Sequence, residues 1–206
     1  MQDLSDSGSR MKLRRFATYI EALPNGLASY PAYTQKAAVY RRVLAEFGAV
    51  PDLTALPEEL RTLVSEPLPV SAWMPEVEVN ALYLALADVH GMSDTEFIDG
   101  FYAVNRAVLS SPLYRVLFFV LAPERLVRGA ATRWGSFHQG IVLAIKAGPR
   151  QATVRMEYPA SLMPELLARA YVTAFQAAVE LAGGRNVSFV VGEYTPTHTI
   201  FDGSWD

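Results

Sequence analysis

The stretch from Ser161 to Gly184 constrains this chain most, because it is predicted to form one long amphipathic helix between two pairs of strands. Its apolar residues recur at spacings of three and four, which places them on one helix face: Leu167, Ala170, Tyr171, Ala174, Ala178 and Leu181. Ser161 is the expected N-terminal cap, and Pro164 is tolerated in the first turn. Gly183 and Gly184 provide the positive-φ freedom that ends a helix. The pattern predicts a β-β-α-β-β unit.

The strands on either side of this helix are indicated by short β-rich segments. The predicted strands are 140–146, 152–158, 187–191 and 197–201. Gly148 and Pro149 form a strong turn pair between the first two strands, and the last two are expected to connect across Gly192 and Pro196. We therefore predict a four-stranded antiparallel sheet crossed by the helix, within a subdomain at 134–206.

The N-terminal half shows helical periodicity throughout. The predicted helices are 12–23, 34–47, 57–64, 75–89, 93–109, 110–122 and 123–132. Ser93 and Glu96 match a capping box, whereas Gly100 inside the same helix costs about 1 kcal/mol unless another element packs closely there. We predict an α+β protein, in which a helical subdomain at 12–133 packs on the C-terminal unit in one compact domain, after a flexible tail at 1–11.

Composition excludes several classes of protein. Half of the residues are hydrophobic and none is cysteine, which excludes a disordered chain, a disulfide framework and a cysteine-based metal site. The first ten residues lack the apolar core of a secretory signal. The most apolar run, 116–122, is about one-third of the ~20 residues that span a bilayer. We predict a cytoplasmic protein with no membrane span.

The charges are segregated along the chain. Residues 10–42 hold seven basic side chains against Glu21 alone, and 46–99 hold eleven acidic ones against Arg61 alone. Residues 106–155 are basic again, with eight positive side chains. Either the acidic middle docks on its basic flanks, or a basic surface is exposed to an anionic ligand or a partner protein. The net charge of −3 does not favour nucleic acid.

Catalytic and metal motifs are weak. The chain has three histidines: His90, His138 and His198. His90 is expected to end a helix, where a cation favours the helix dipole. His198 lies near Glu193 and Asp202, which leaves a metal site or a hydrolase as an alternative, but no two histidines have ligand spacing. We predict no metal, no cofactor and no enzymatic activity.

The candidate ligand-binding residues lie mainly where the helical half meets the sheet. They are Tyr102, Arg125, Arg128, Arg133, Trp134 and His138. A planar guanidinium suits recognition of a carboxylate or phosphate, and an indole ring offers a stacking surface. The alternative is that these arginines are solvated or paired internally. Aromatic side chains of the helices are expected to form core, and some of them to line an apolar pocket between helices and sheet.

Several motifs follow one another between Pro67 and Trp205: a helix at Trp73, the segment 97–100, Leu109-Ser110-Ser111-Pro112-Leu113, the apolar run 116–121, the turn 148–154 and Leu181-Ala182-Gly183-Gly184. In this order they resemble a paralogous family of uncharacterised proteins found in myxobacteria. The β-β-α-β-β ending is similar to the topology of haem nitric-oxide-binding and vinyl-reductase-like sensory domains. That resemblance implies a fold and no catalytic residue, and the haem-binding Tyr-x-Ser-x-Arg pattern is absent here, as are the cysteines of the vinyl-reductase-like group.

These features together predict a non-enzymatic sensory or regulatory module that holds a small, partly apolar or anionic ligand between helices and sheet. The alternative is a protein-interaction adaptor, either a homodimer or a partner-binding protein. It would use the basic face at 106–133 or the acidic segment at 46–99. A hydrolase built on His198 is the third reading.

Overall fold

The structure, a computed structural model, describes residues 13–50, 52–112 and 122–206. Its helices are α1 (Arg14–Ala22), α2 (Ala37–Phe47), α3 (Glu58–Ser65), α4 (Glu76–Val89), α5 (Asp94–Leu109), α6 (Pro123–Arg128), α7 (Ala130–Trp134) and α8 (Glu165–Leu181). Its strands are β1 (Thr34–Lys36), β2 (Trp73–Pro75), β3 (His138–Gln139), β4 (Val142–Gly148), β5 (Gln151–Glu157), β6 (Ser188–Thr195) and β7 (His198–Ser204). The fold is therefore α+β, as predicted.

The C-terminal sheet has the predicted β-β-α-β-β arrangement. Its strand order is β4-β5-β7-β6, and every neighbouring pair is antiparallel. The expected connection at Gly192 is wrong, because β6 continues through this residue with a register shift between Val191 and Glu193. A Cβ at Gly192 would meet Oδ2 of the exposed Asp202 side chain, so a side chain here would require that carboxylate to move aside.

Helix α8 is shorter than the sequence suggests. It begins after Pro164, which occupies the N-cap position, so the prediction that Ser161 caps the helix is wrong. Ser161 has a φ of +61° and donates its backbone N–H to the carbonyl of Pro196, which ties the approach to α8 to the β6–β7 turn. Gly183 has a φ of +94°, consistent with its predicted role in ending the helix, whereas Gly184 does not have a positive φ. Helix α8 packs between α5 and the sheet.

The helical half is organised around α4, of which eleven of fourteen residues are buried. Helix α5 starts with the predicted capping box of Ser93 and Glu96. Gly100 lies in α5 where α2 packs against it, and a Cβ there would stand 2.6 Å from Cε1 of Phe47. Close approach of α2 therefore accounts for a glycine inside this helix.

A second sheet, with strand order β2-β1-β3, was not predicted. Residues 34–36, expected to begin a helix, instead form β1. Its strands have only two or three residues, too few to show a two-residue period. This small sheet positions the candidate site, because Gln35 pairs with His138 and β2 runs directly into Glu76 at the start of α4.

Other helix predictions are altered or untested. The helix predicted at 123–132 is divided at Gly129 into α6 and α7. The predicted tail at 1–11 lies outside the described residues, and so does most of the helix predicted at 110–122. No helix in the described part of the chain is long and apolar enough to cross a membrane.

The first basic segment docks on the acidic middle of the chain. The Arg15 guanidinium lies 3.2 Å from Asp88 and 2.9 Å from Asp94. The later basic segment behaves differently: within the described residues Arg106 pairs with Glu180 of α8, outside the acidic stretch. Charge segregation therefore joins the N-terminal helices to each other, while much of the basic segment after 106 stays exposed.

Candidate ligand-binding site

A cavity of about 120 Å³ lies where α5, α7 and α8 meet β4. Among the described residues, six aromatic side chains line it: Tyr83, Phe101, Trp134, Phe137, Tyr171 and Phe175. The described part of its wall also includes the polar side chains Asn105, Arg133 and His138. The cavity is therefore mainly apolar, with a few polar groups of the kind that fix the orientation of a ligand.

Behind this wall lies a buried carboxylate, Glu76, whose side chain is fully shielded from solvent. Its Oε1 lies 3.1 Å from Nδ1 of His138 and accepts a hydrogen bond of 3.1 Å from the hydroxyl of Tyr171. A carboxylate at Nδ1 sets the orientation of the imidazole and its tautomer. The Nε2 atom of His138 forms no hydrogen bond with the described residues.

The two tyrosines of the cavity wall are held in their neutral form. Burial, and then the negative charge of Glu76, raise the pKa of Tyr171 well above its usual value. The same causes, in the same order, raise the pKa of Tyr83. Both phenols are therefore hydrogen-bond donors at neutral pH, and the Tyr83 hydroxyl donates to Gln35 at 3.3 Å.

Trp134 packs against the ring of His138. Its indole stacks on the His138 imidazole, with ring centroids 3.9 Å apart and planes 14° from parallel. The ring of Phe175 lies roughly parallel at 6.3 Å from it. The indole Nε1 atom is buried and has no hydrogen-bond partner among the described residues. Stacking thus fixes the ring while its polar atom stays unsatisfied.

The structure brings three of the six predicted site residues to the cavity: Arg133, Trp134 and His138. Tyr102 is not among its lining residues, because its hydroxyl donates to Glu180 on the neighbouring helix α8. Arg125 and Arg128 are exposed on α6 and do not line the cavity either. Neither forms an ion pair within the described part of the chain.

Sequence reasoning missed Glu76, Tyr171 and Asn105. Glu76 follows a proline at the start of a helix, where an acidic residue usually interacts with the helix dipole and carries no other signal. Tyr171 lies on the apolar face of α8, where an aromatic residue usually contributes to the core. Asn105 donates to Thr173 at 2.9 Å. The pairing of β1 with both β2 and β3 brings His138 toward Glu76.

A wider groove of about 1,040 Å³ runs between α1 and the N-terminal end of α8. It contains Arg15, Asp88, Asp94 and Arg169, and these charges pair with one another. Mutual neutralisation leaves the groove with little preference for either sign of ligand charge.

The hydrolase reading depends on His198, whose Nε2 lies 3.2 Å from Oε1 of Glu193. Asp202 is turned away and accepts a hydrogen bond from Thr153. Neither His198 nor Glu193 lines the cavity or the groove, so the pair adjoins neither of these two concave sites. Within the described residues, no group of three histidine, cysteine or acidic side chains is placed to hold a metal ion.

The fold is similar to that of solved H-NOX domains. An oxygen-binding H-NOX domain related to soluble guanylate cyclases superposes with a TM-score of 0.55 at 8% identity, covering 83% of this chain and 95% of its own. The Fe(II) unliganded H-NOX protein from K. algicida gives 0.54 at 10% identity, covering 83% and 96%. A structure from a study of heme distortion in the H-NOX family gives 0.57 at 8% identity, covering 83% and 95%.

The likeness in topology to haem nitric-oxide-binding domains is thus confirmed at the level of the fold. No protein-family model and no curated protein matches the chain. The resemblance to the myxobacterial family stays a prediction.

Proposed function

We propose that this protein is a cytoplasmic sensory or regulatory module that binds a small, largely apolar molecule in the cavity between its helices and sheet. The observation that carries the proposal is the aromatic cavity itself, with Arg133 and His138 in its wall. Support comes from the H-NOX neighbours, since one of them is an oxygen-binding domain. Binding beside α8, which contacts both α5 and the sheet, would let an occupant alter how the two halves pack.

Haem is the cofactor that this fold suggests, and the residues present do not fit it. A cavity of about 120 Å³ is well below the roughly 300–1,000 Å³ of pockets for drug-sized ligands, and a haem is larger than most such ligands. His138 is the one histidine in the cavity wall, and the indole of Trp134 covers a face of its ring. A smaller occupant agrees better with these dimensions.

The test uses toluene, an apolar molecule that approaches the cavity in size. Isothermal titration of the full chain should give saturable binding of one toluene per protein. Ala174 lines the cavity, so Ala174→Leu should abolish binding by filling the space. Ala131→Leu, at an exposed position of α7, is the matched control and should bind as the wild type does. Failure of the wild type to bind toluene would contradict the proposal.

The adaptor function remains a second candidate because of one observation: Arg125 and Arg128 of α6 are exposed, and their guanidinium groups form no ion pair with any residue that the structure describes. An interface built on these charges would weaken as salt is added, because the Debye length, over which salt screens exposed charges, is about 10 Å at 0.1 M. Sedimentation at low and high salt checks this: a dimer that dissociates with salt, and is lost in Arg125→Ala/Arg128→Ala, supports the adaptor. A monomer under both conditions counts against a homodimer.

A further inference from the structure

Arg133 brings a fixed positive charge to the cavity wall. Its side chain is half-buried at the end of α7 and forms no hydrogen bond or ion pair with the residues that the structure describes. Its guanidinium lies over Gly129, where a Cβ would meet Nη1. The lack of a side chain at the junction of α6 and α7 therefore leaves room for this guanidinium, whose donors are uncommitted.

Glu76, the buried carboxylate behind the wall, forms no ion pair with Arg133. It bonds instead to His138 and Tyr171, and it does not line the cavity. His138 and Tyr171 do belong to the wall, so these two side chains separate the charge of Glu76 from an occupant. The charge of Arg133 is therefore left for an occupant to meet.

The other polar atoms of the described wall are committed, shielded or uncharged. The hydroxyls of its two tyrosines donate to other side chains, and Nδ2 of Asn105 donates to Thr173, which leaves Oδ1 as an acceptor. The indole Nε1 of Trp134 has almost no accessible surface, so an occupant cannot reach it. Nε2 of His138 accepts when the ring is neutral with its proton on Nδ1. Arg133 is thus the permanently charged donor in this part of the wall.

The charge and the size of the site favour a small monocarboxylate. A planar guanidinium matches a carboxylate through two parallel hydrogen bonds, whereas a phosphate would bring a charge of about −1.5 to −2 to a single cation in apolar surroundings. An engineered apolar cavity of about 150 Å³ binds benzene, and this cavity measures about 120 Å³, which limits the body of the ligand to about one ring. Aromatic walls such as Phe101 and Phe175 favour a flat ring through stacked or edge contacts.

We propose that the cavity takes a small aromatic monocarboxylate and that Arg133 binds its carboxylate. This inference rests on the proposed function and specifies its ligand class. The ring fills the apolar part of the cavity, and the carboxylate accepts hydrogen bonds from the guanidinium. Because Arg133 is half-exposed, the carboxylate is not fully removed from water, which limits the cost of binding a charged group in an apolar site.

Benzoate and toluene form a matched pair of probes, because a carboxylate replaces a methyl group on the same ring. In Arg133→Gln the ratio of the benzoate to the toluene dissociation constant, measured by isothermal titration, should rise roughly tenfold, as expected for the loss of a partly exposed charged hydrogen bond. Arg185→Gln is the control, because it removes the same charge from an exposed position that does not line the cavity. That variant should leave the ratio unchanged.

A second measurement needs no variant and covers the case in which Arg133→Gln disturbs the cavity. Benzamide has the shape of benzoate without its charge, and hydrogen bonds to a carboxylate are stronger than those to a neutral carbonyl, so the wild type should bind benzamide about tenfold more weakly than benzoate. The toluene dissociation constant reports on the variant itself. It should be the same in Arg133→Gln as in the wild type, because toluene has no polar group for the guanidinium.

The outcomes separate the two proposals. If toluene does not bind the wild type, the proposed function fails and this inference fails with it. If toluene binds and benzoate does not, the carboxylate class is overturned while the cavity remains a ligand site. The same conclusion follows if the ratio is unchanged in Arg133→Gln, or if benzamide binds the wild type as tightly as benzoate does.

Discussion

The two ends of helix α4 each carry a shielded carboxylate, and the two are satisfied in different ways. Asp88, near the C-terminal end, has a side chain 5% exposed and bonds to the Arg15 guanidinium and to the backbone N–H groups of Arg15 and Phe16. Glu76, at the N-terminal end, is fully buried and bonds to His138 and Tyr171. One carboxylate meets a guanidinium and the backbone, and the other meets an imidazole and a phenol.

Asp88 belongs to the packing of the helices, whereas Glu76 belongs to the candidate site. The first turn of α1 has no side-chain cap of its own, so Asp88 supplies one from another helix and all of its partners belong to the fold. The Glu76 cluster adjoins a cavity and includes His138, whose second ring nitrogen is unbonded among the described residues. The Asp88 network is complete within the fold and holds two helices together, whereas the Glu76 network ends at a cavity, as the proposed ligand site requires.

Removing the architectural carboxylate should have the largest effect. Asp88→Ala leaves Arg15 without its buried partner and two N–H groups of α1 uncapped, so we expect the free energy of unfolding to fall by about 3 kcal/mol in urea titrations. Asp88→Asn keeps an acceptor for the backbone and should lose less. Toluene affinity should not change, because Asp88 does not line the cavity. A loss within the ~0.5 kcal/mol of ordinary surface substitutions would show that α1 is not held this way.

The pair at the cavity end should show strong coupling. A double-mutant cycle of Glu76→Gln and His138→Asn, followed by urea unfolding, should give a coupling free energy of about 2 kcal/mol, because both groups are buried and in contact. The control cycle is Arg42→Ala with Glu46→Ala, an exposed pair on α2, for which about 0.3–0.5 kcal/mol is expected. Equal coupling in the two cycles would mean that burial adds nothing to the Glu76 pair.

Local patterns predicted much of this fold, and contacts between distant residues account for what they missed. The helix periodicities and the β-β-α-β-β order are legible within windows of about 15 residues, as are the Gly148-Pro149 turn and the Ser93 capping box. Glu76 and His138 are 62 positions apart and meet through strands too short to leave a pattern. Trp134 and His138 were predicted as candidates because they lie where the helical half meets the sheet and offer a stacking surface and an imidazole there. Tyr171, on a distant helix, gave no sign of its bond to Glu76.

Alkaline pH provides a further test of the difference between the two ends of α4, because the cavity end faces buried tyrosines. The folded state raises the pKa of Tyr171 and of Tyr83, so only the unfolded chain ionises them near pH 10. Stability should therefore be unaffected by these groups below pH 10 and fall above it, by about 1.4 kcal/mol per pH unit for each tyrosine.

Tyr171→Phe tests this assignment through the slope of stability against pH. Losing the hydroxyl also removes a bond to Glu76, so the absolute free energy at neutral pH is no guide. The unfolded tyrosine is about half ionised at pH 10 and about nine-tenths ionised at pH 11, so the slope between these values should become shallower by roughly 1 kcal/mol per pH unit. An unchanged slope would mean that Tyr171 does not stay neutral in the folded protein.

The smallest effect is expected where a helix provides its own cap. Helix α5 begins with Ser93, whose hydroxyl accepts from the backbone N–H of Glu96, while the Glu96 carboxylate accepts from the backbone N–H of Ser93. Ser93→Ala should lower the free energy of unfolding by about 1 kcal/mol, against about 3 kcal/mol for Asp88→Ala, in the same urea titrations. Ser65→Ala, at the far end of α3 where the hydroxyl caps no N-terminus, is the control and should change little.

The local cap at Ser93 stabilises one turn of one helix, whereas Asp88 joins α1 to α4, so the loss of Asp88 also weakens the packing between those two helices. Equal losses would show that Asp88 acts as a cap alone and that Arg15 adds nothing to the junction.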